Sequence, residues 1–521
     1  MTRKVLVTTS GIGSRLGNLS KFTNKSLVRI GKKPAISYIL DSYPAGTEFV
    51  VTLGHYGDQV RQYFNVAHPG VNVTFAEVDK FEGPGSSLLY SISCARKHLA
   101  EPFIFHACDT VVQEQVPLTL TTNWLGGFPS RGSAHYRTFN VAGSQVLRLN
   151  EKGEKSSDLD YVGVCGIQDY ELFWDITDRL LAAGGGLSDY DVIVAMMEQG
   201  KPFRSHVFKT WNDIGNIDSL HEARRNTNDH FDLLDKDDES IFILDDLVVK
   251  FFYDRDICRN RITRAGKLRG LVPEVVRTSD NFYAYHYAAG NLLSRVITPR
   301  KLRRLLDWAR QRLWQRVDDD GKYVDRCKKF YQDKTVERIS RFLTSNRLAD
   351  TETTINGEHV PPVMKLLEKV DFASLHAAAP SVFHGDFILE NLLETRDGFT
   401  MLDWRQDFAG STDYGDFHYD LAKLNHNLIL DHNSVHHDWY SLADADDGMR
   451  ADILVPSLYN DTRKVLEEFC AETGTDYRKI RILTALVWLN MSPLHERPLD
   501  TFLFYFGKYH LHRALAGADH A

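Results

Sequence analysis

The stretch KVLVTTSGIGSRLG, residues 4–17, decides how the first half of this chain is read. Residues 4–9 form a β-branched run behind a basic start, which predicts a buried strand. That strand runs directly into Ser10-Gly11-Ile12-Gly13, with Gly17 close behind. Glycines placed straight after a strand let backbone N–H groups approach a ligand closely, a geometry suited to nucleotide phosphates. Taken alone, such a loop fits a Rossmann-type turn, a relative of the P-loop or a plain turn. A Walker loop is excluded, because no Gly-Lys-Ser/Thr closes it.

Outward from this loop, strand and helix patterns alternate. Residues 47–53 (TEFVVTL) and 71–78 read as strands, and 35–43 and 58–64 have helical spacing. This alternation predicts an α/β domain with a mostly parallel sheet. Residues 103–110 (FIFHACDT) read as another buried strand that ends in Asp109, with His106 as a core histidine. The carboxyl end of a parallel strand is where such sheets bind ligands. In EGPGSSLLYS, residues 82–91, Gly85 and Ser86 suit close approach to a base edge. A plain helix cap by Ser86 or Ser87 accounts for the same residues.

The glycine loop, Arg15-Leu16-Gly17, Lys25-Ser26-Leu27, Gly31-Lys32-Lys33-Pro34 and the helix after them together resemble nucleotidyltransferases that activate sugar phosphates or phosphocholine. The resemblance covers residues 1–225 and extends to Trp211-Asn212-Asp213-Ile214-Gly215. It implies a Rossmann-like nucleotidyltransferase domain. Ser10, Gly11, Gly13, Gly85 and Ser86 would contact the nucleotide, and Lys25 would neutralise triphosphate charge. Arg15 would face the phosphates that leave as pyrophosphate. Asp109 and Asp213 would share one Mg²⁺, which requires the fold to bring them together. The family usually has Gly-Gly or Ala-Gly where this chain has Ser10-Gly11. Thr23-Asn24-Lys25-Ser26-Leu27 and the Ser86-Ser87-Leu88-Leu89-Tyr90-Ser91 loop look closer to cytidylyltransferases for phosphocholine than to uridylyl or thymidylyl enzymes, so CTP is favoured.

Residues 226–239 are polar and charged and read as a linker. Residues 240–252 predict a hairpin, IFIL and LVVKFF around Asp245-Asp246, with Lys250 mid-strand. Further on, SVFHGDFILENLLETRDGFTMLDWRQDF begins at Ser381. It places Asp386 on a loop, Asn391 five positions later, and Asp403 at the end of a short apolar run, 399–402, that reads as a strand. One carboxylate to orient an attacking hydroxyl, with an amide and a second carboxylate to hold Mg²⁺, is the set that phosphoryl transfer from ATP needs.

His384, Asp386, Asn391 and Asp403 resemble the signature of the aminoglycoside phosphotransferase and choline kinase family. The resemblance implies a two-lobed, protein-kinase-like α+β domain over 240–521, with a small lobe at 240–290 and a large lobe at 291–521. Asp386 would be the base, Asn391 and Asp403 the Mg²⁺ ligands, Lys250 the contact to the ATP phosphates, and 282–290 the hinge. An edge-strand lysine is the rival account of Lys250. Two features depart from the family. No glycine-rich loop precedes Lys250, and no Glu occurs between Lys250 and Glu274, where Arg255, Arg259, Arg261 and Arg264 dominate instead. Asp407, Asp413, Asp416 and Asp420 read mostly as caps and turns, and 440–521 as helical.

Composition narrows the classes further. The 521 residues carry a formal charge of −8 and a pI near 6.2, unlike the basic surface that nucleic acid asks for. No apolar run reaches the ~18–20 residues of a membrane span. The first residues lack a signal-peptide core. The six cysteines are scattered, as in a reduced, cytoplasmic protein. The expectation is a bifunctional enzyme. It phosphorylates a small alcohol or sugar with ATP, then joins the product to a nucleotide from a second NTP, giving an activated precursor for surface polysaccharide or lipid. A homo-oligomer is compatible with it. The alternative is a nucleotidyltransferase whose kinase-like half only binds a ligand or regulates.

Overall fold

The structure, a computed structural model, describes residues 4–132, 135–153, 157–184, 187–227, 236–446 and 448–517. Residues 228–235 of the expected linker lie outside them. The chain forms two compact units, Met1–Cys258 with Val276–Tyr287, and Arg259–Val275 with Ala288–Ala521.

The first unit is built on a nine-stranded sheet. Its strands are β1 (Lys4–Thr8), β2 (Glu48–Leu53), β3 (Asn72–Glu77), β4 (Phe103–Ala107), β6 (Asn123–Pro129), β7 (Thr138–Ala142), β8 (Gln145–Asn150), β9 (Leu159–Ile167) and β10 (Phe203–Val207). The order is β3-β2-β1-β4-β9-β6-β10-β8-β7. β1 pairs in parallel with both β2 and β4, and β2 with β3. Helices Ala35–Asp41 and Gly57–Ala67 supply crossovers. Both faces of this half are covered. Val5 and Val7 lie in a core with Ile36 and Val60, while Leu6 lies in another with Leu89 and Ile92. That is why β1 reads as a continuous apolar run rather than an alternation.

The expectation of a mostly parallel sheet needs correction, because the sheet is mixed. β9 is antiparallel to β4 and β6, and β7 is antiparallel to β8. Only Gly143 and Ser144 join β7 to β8, and so short a link permits only an antiparallel return.

A second, four-stranded sheet contains β12 (Glu239–Leu244), β13 (Leu247–Phe252), β14 (Val275–Thr278) and β15 (Phe282–His286), in the order β12-β13-β15-β14. The predicted hairpin is therefore present, but β13 is an inner strand. Lys250 is buried on it, in register with Ile241 and Tyr283, so the edge-strand account does not hold. Phe242, Val249, Phe251 and Phe282 are buried in one cluster with Val60 and Tyr63 of helix Gly57–Ala67. The Asn281 N–H donates to Gln62 Oε1 at 2.8 Å. These strands were expected in the small lobe of the second domain; their apolar face is instead part of the first unit's core.

Two histidines of the first unit, the buried His106 and the half-buried His68, make an acid-stability prediction. Burial pushes His68 and His106 down to about 4. Once unfolded they bind protons near pH 6.5; folded, they do so only near pH 4. The unfolded state thus gains protons first, and stability falls as pH drops through this window. At pH 5 each histidine costs about 2 kcal/mol. The first melting transition should drop by roughly 5–10 °C between pH 7 and pH 5, read by circular dichroism, and an unchanged melt contradicts it.

In the second unit, Asn291–Leu292, Leu392–Thr395 and Gly398–Met401 make a three-stranded sheet that includes the strand expected before Asp403. Residues 440–453 were expected as helix. They form an antiparallel pair, Tyr440–Ala445 with Gly448–Ile453, in which Leu442 faces the buried Ala451. Alternating side chains along each of the two runs favour this over a helix. Helices Ser457–Thr473, Tyr477–Met491 and Leu499–Ala516 follow and bury Phe469, Trp488, Phe502 and Phe506. Among the described residues no helix is long and apolar enough to cross a membrane.

Candidate active sites

In the first unit the loop after β1 faces a cavity of about 140 Å³ lined by Gly13, Arg15, Lys25, Asp109 and Gly215, among others. Gly13 has φ 71°, and a Cβ there would sit 2.9 Å from Lys25 Cβ. The close turn therefore needs glycine. Gly13→Ala should cost about 1–3 kcal/mol through strain and contact. It should also raise KM for the nucleotide, measured by thermal melts and pyrophosphate release. Ser10 is buried, its hydroxyl donates to Ser91 Oγ at 2.8 Å and its carbonyl accepts from the His55 N–H at 2.9 Å, and neither Ser10 nor Gly11 is among the residues lining the cavity.

Asp109 follows β4, and Asp213 ends β11 (Asn212–Asp213), which pairs with β5 (Thr110–Val111) so that Asp213 lies opposite Thr110. Sheet register thus unites two carboxylates that are distant in sequence. Asp109 Oδ2 receives Lys25 Nζ at 3.4 Å. The positive charge of Lys25 outweighs burial and holds the Asp109 carboxyl below its usual range. Burial works against the charge on Lys25, but Asp109 and then Cys108 more than offset it, so its pKa is raised. Burial, then the nearby Asp109 charge, pushes Asp213 up. Asp213 Oδ1 accepts from the Gly215 N–H at 3.0 Å and Oδ2 from Tyr136 Oη at 3.2 Å.

These residues fit a Mg²⁺ site. A Cβ built on Gly215 would lie 3.1 Å from Asp213 Oδ1, 3.6 Å from Asp109 Oδ2 and 3.7 Å from Arg15 Nη2. Both carboxylates and the guanidinium thus border one small space that glycine keeps open. Mg²⁺ is commonly held by one or two carboxylates, with water and phosphate oxygens completing its shell. No group of three or more His, Cys, Asp or Glu suited to a metal occurs among the described residues.

Gly85 and Ser86 are not among the residues lining the cavity. Ser86 Oγ donates to Gly83 O at 2.8 Å, and the helix Leu88–Ser93 is capped by Ser87, which accepts from the Tyr90 N–H. His106 is a core histidine: Nδ1 meets Tyr43 Oη at 2.8 Å and Nε2 meets Thr110 O at 3.0 Å. Tyr136 was not foreseen, and no motif marks it. Gly215 stood inside a quoted motif without an assigned role.

In the second unit the loop around Asp386 is held from behind. The N–H groups of His384 and Gly385 donate to the two oxygens of buried Asp420, at 2.8 and 2.6 Å. Gly385 has φ 87°, and a Cβ there would meet Arg405 Cβ at 2.5 Å. His384 Nε2 donates to Leu402 O at 2.8 Å, and burial lowers its pKa to about 4. Asp386 accepts from Asn391 Nδ2 at 2.9 Å and pairs with Lys423 Nζ at 2.8 Å. Burial opposes its charge, but Lys423 prevails and its pKa is lowered. Asp403, at φ 53°, is paired with Arg261. Arg264, one turn further along the helix Arg255–Lys267, donates to the carbonyls of Phe383, His384 and Arg405. Of the arginines that stood where a Glu was expected, Arg264 braces this loop and Arg261 pairs with Asp403, whereas Arg255 pairs with Asp58 and Asp280.

Asp386, Asn391 and Asp403 lie in one neighbourhood, since the charge of Asp403 acts on Asp386. As arranged they do not fit a Mg²⁺ site. Of the two residues expected to hold the metal, Asp403 is paired with Arg261, and the Asn391 amide donates to Asp386 O and Oδ2. Asp416 caps helix Phe417–Asn427 and Asp407 closes a turn through the Gly410 N–H, as anticipated, whereas Asp413 makes an ion pair with Lys267.

No family model matches the chain. Its N-terminal part is similar to nucleotidyltransferases. In particular, 239 residues are 26% identical to the low-salt glycan biosynthesis nucleotidyltransferase of Haloferax volcanii, covering 43% of this chain and 65% of that protein. The match thus spans less than two thirds of the relative's length. Among solved structures, the chain is 17% identical to the inositol-1-phosphate CTP transferase of T. maritima, covering 43% of this chain and 95% of that one, at a TM-score of 0.36. It is 16% identical to the CTP:phosphocholine cytidylyltransferase of Streptococcus pneumoniae, covering 43% and 97%, at 0.36. For the UDP-glucose pyrophosphorylase of Acinetobacter baumannii the identity is 16%, the coverage 43% and 92%, and the TM-score 0.37.

Proposed function

We propose that the first unit is a nucleotidyltransferase that joins the phosphate of a small phosphorylated alcohol or sugar to a nucleotide, CTP in first place, for assembly of a glycan or a related surface polymer. The observation that carries this reading is the convergence of Lys25, Arg15 and Asp109 on one cavity beside the glycine loop, with Asp213 bordering the same space at Gly215. An acceptor phosphate oxygen attacks the α-phosphorus; that P–O bond forms while the bond from Pα to the β-phosphate oxygen breaks, and pyrophosphate leaves. Lys25 and Arg15 offset the negative charge of the triphosphate. Asp109 and Asp213 would hold Mg²⁺, which when bound neutralises charge on the phosphates. Gly13 keeps the loop backbone close to them.

In the same reading the second unit makes the phosphorylated acceptor. The alcohol oxygen attacks the γ-phosphorus of ATP, its proton passes to Asp386, and ADP leaves. Asn391 orients Asp386 through its amide. The Arg261–Asp403 pair favours a second reading, in which this unit binds its ligand without phosphoryl transfer. Incubation of the full chain with ATP, each NTP and an alcohol library, followed by mass spectrometry, tests both. A nucleoside-diphosphate product that needs ATP supports two serial steps; one formed only from ready-made phosphates supports the second reading; none from either removes the proposal.

A further inference from the structure

A cavity of about 160 Å³ in the second unit, enough for a molecule of a few carbon atoms, is crowded with cations. Lys334, Arg338, Arg405 and Lys423 all line it, together with the rings of Phe330 and Tyr419. Lys334 Nζ lies 3.2 Å from the centre of the Phe330 ring and 5.8 Å from that of Tyr419. The Arg405 guanidinium carbon is 5.0 Å from the same Phe330 ring. Arg338 donates to Asn490 O at 3.2 Å, and Arg405 Nε to Asp407 O at 3.1 Å; both acceptors are backbone carbonyls. Among the described residues, ion pairs within 4 Å reach only Lys423 of these four, through Asp386 at 2.8 Å.

Four cationic side chains meet around one small space, and only the charge of Lys423 is offset there by an ion pair, so the protonated forms of the others repel one another. Burial and the charges of Arg405, Arg338 and Lys423 all act against protonated Lys334, and Asp407 is the carboxylate that opposes them. An anion placed between these side chains would relieve that repulsion. A quaternary ammonium would add to it, and the aromatic face that could receive one is already taken by Lys334. Lys423 both lines this cavity and bonds Asp386, so a ligand seated here lies one side chain from the proposed base.

We infer that this cavity binds the acidic group of an anionic alcohol, a carboxylate or phosphate monoester that also carries a hydroxyl, and so sets the acceptor class of the second unit. The orientation of that hydroxyl toward Asp386 rests on the phosphoryl-transfer reading above; binding of the anion does not.

Calorimetric titration of the full chain with D-glycerate, glycerol 3-phosphate, glycerol and choline, without nucleotide, tests this. One of the two acids should bind at least about tenfold more tightly than glycerol, and choline should not bind. Which acid binds tells carboxylate from phosphate. Arg338→Gln should weaken acid binding about tenfold, and Lys334→Met, which keeps the volume of a buried side chain, should do the same. Should Lys334→Met fail to fold, Arg338→Gln and the loss of acid binding at high salt still decide. Failure of both acids to bind, or acid binding unchanged in Arg338→Gln, overturns the inference. Acid binding without ATP-dependent phosphorylation upholds it and removes the kinase step. Phosphorylation of glycerol or choline with no preference for the acids upholds the kinase step and overturns the inference.

Discussion

Asp109→Asn is expected to lower pyrophosphate release from NTP and a sugar or alcohol phosphate by roughly 10²–10³-fold, with the fold retained. Asp109 is bordered by Lys25 and by the space that Asp213 and Arg15 also face. An amide keeps the shape but removes the charge that balances Lys25 and that would hold a cation on the phosphates. The stability cost should be small, about 1–2 kcal/mol, because both members of the Lys25–Asp109 pair keep some exposure and solvent screens the loss. The separation of the two effects is the informative result. A variant that melts slightly earlier and has lost nearly all activity places Asp109 in the chemistry. One that melts much earlier and turns over normally places it in the fold alone, and the assignment is then wrong.

Asp386→Asn is expected to reduce ATP-dependent phosphorylation of the acceptor by roughly 10²–10⁴-fold while leaving nucleotidyl transfer to a ready-made phosphate unchanged. The first part follows from its role in accepting the hydroxyl proton, which an amide cannot do. Arg261→Gln is the companion variant. It frees Asp403 from its guanidinium, so if Asp403 is meant to hold a metal, phosphorylation should persist or rise and its dependence on magnesium should sharpen. If the second unit only binds, neither substitution alters ATP consumption, because the wild-type chain has none to lose. Phosphorylation that survives intact in Asp386→Asn would remove Asp386 from the reaction.

Much of the first unit was legible from its residues. The run of residues 4–9, the strands near 47–53 and 71–78, and the helical spacing at 58–64 follow from period and propensity over a few neighbours, which need no knowledge of the rest of the chain. Gly13 stood out only through the motifs that follow it, because a strand followed by glycines also fits a plain turn. The partly antiparallel sheet was less visible, since burial on both faces hides the alternation that distinguishes the two kinds of pairing. In the second unit the loop carrying His384 and Asp386 and the strand before Asp403 were visible for similar local reasons. The beta pair at 440–453 was lost among the aromatic residues that make the later helices.

What the sequence by itself determined was the order of local elements and the short list of charged residues at their ends. Only the tertiary structure decided that Asp213 meets Asp109 through the β5–β11 register, that Arg261 takes Asp403 from 142 residues away, and that Phe242 and Phe251 share a core with Tyr63. The reason is physical. Backbone preference acts over a turn or a strand, whereas the balance of charge and the burial of apolar faces are settled between segments that meet only after the chain has folded.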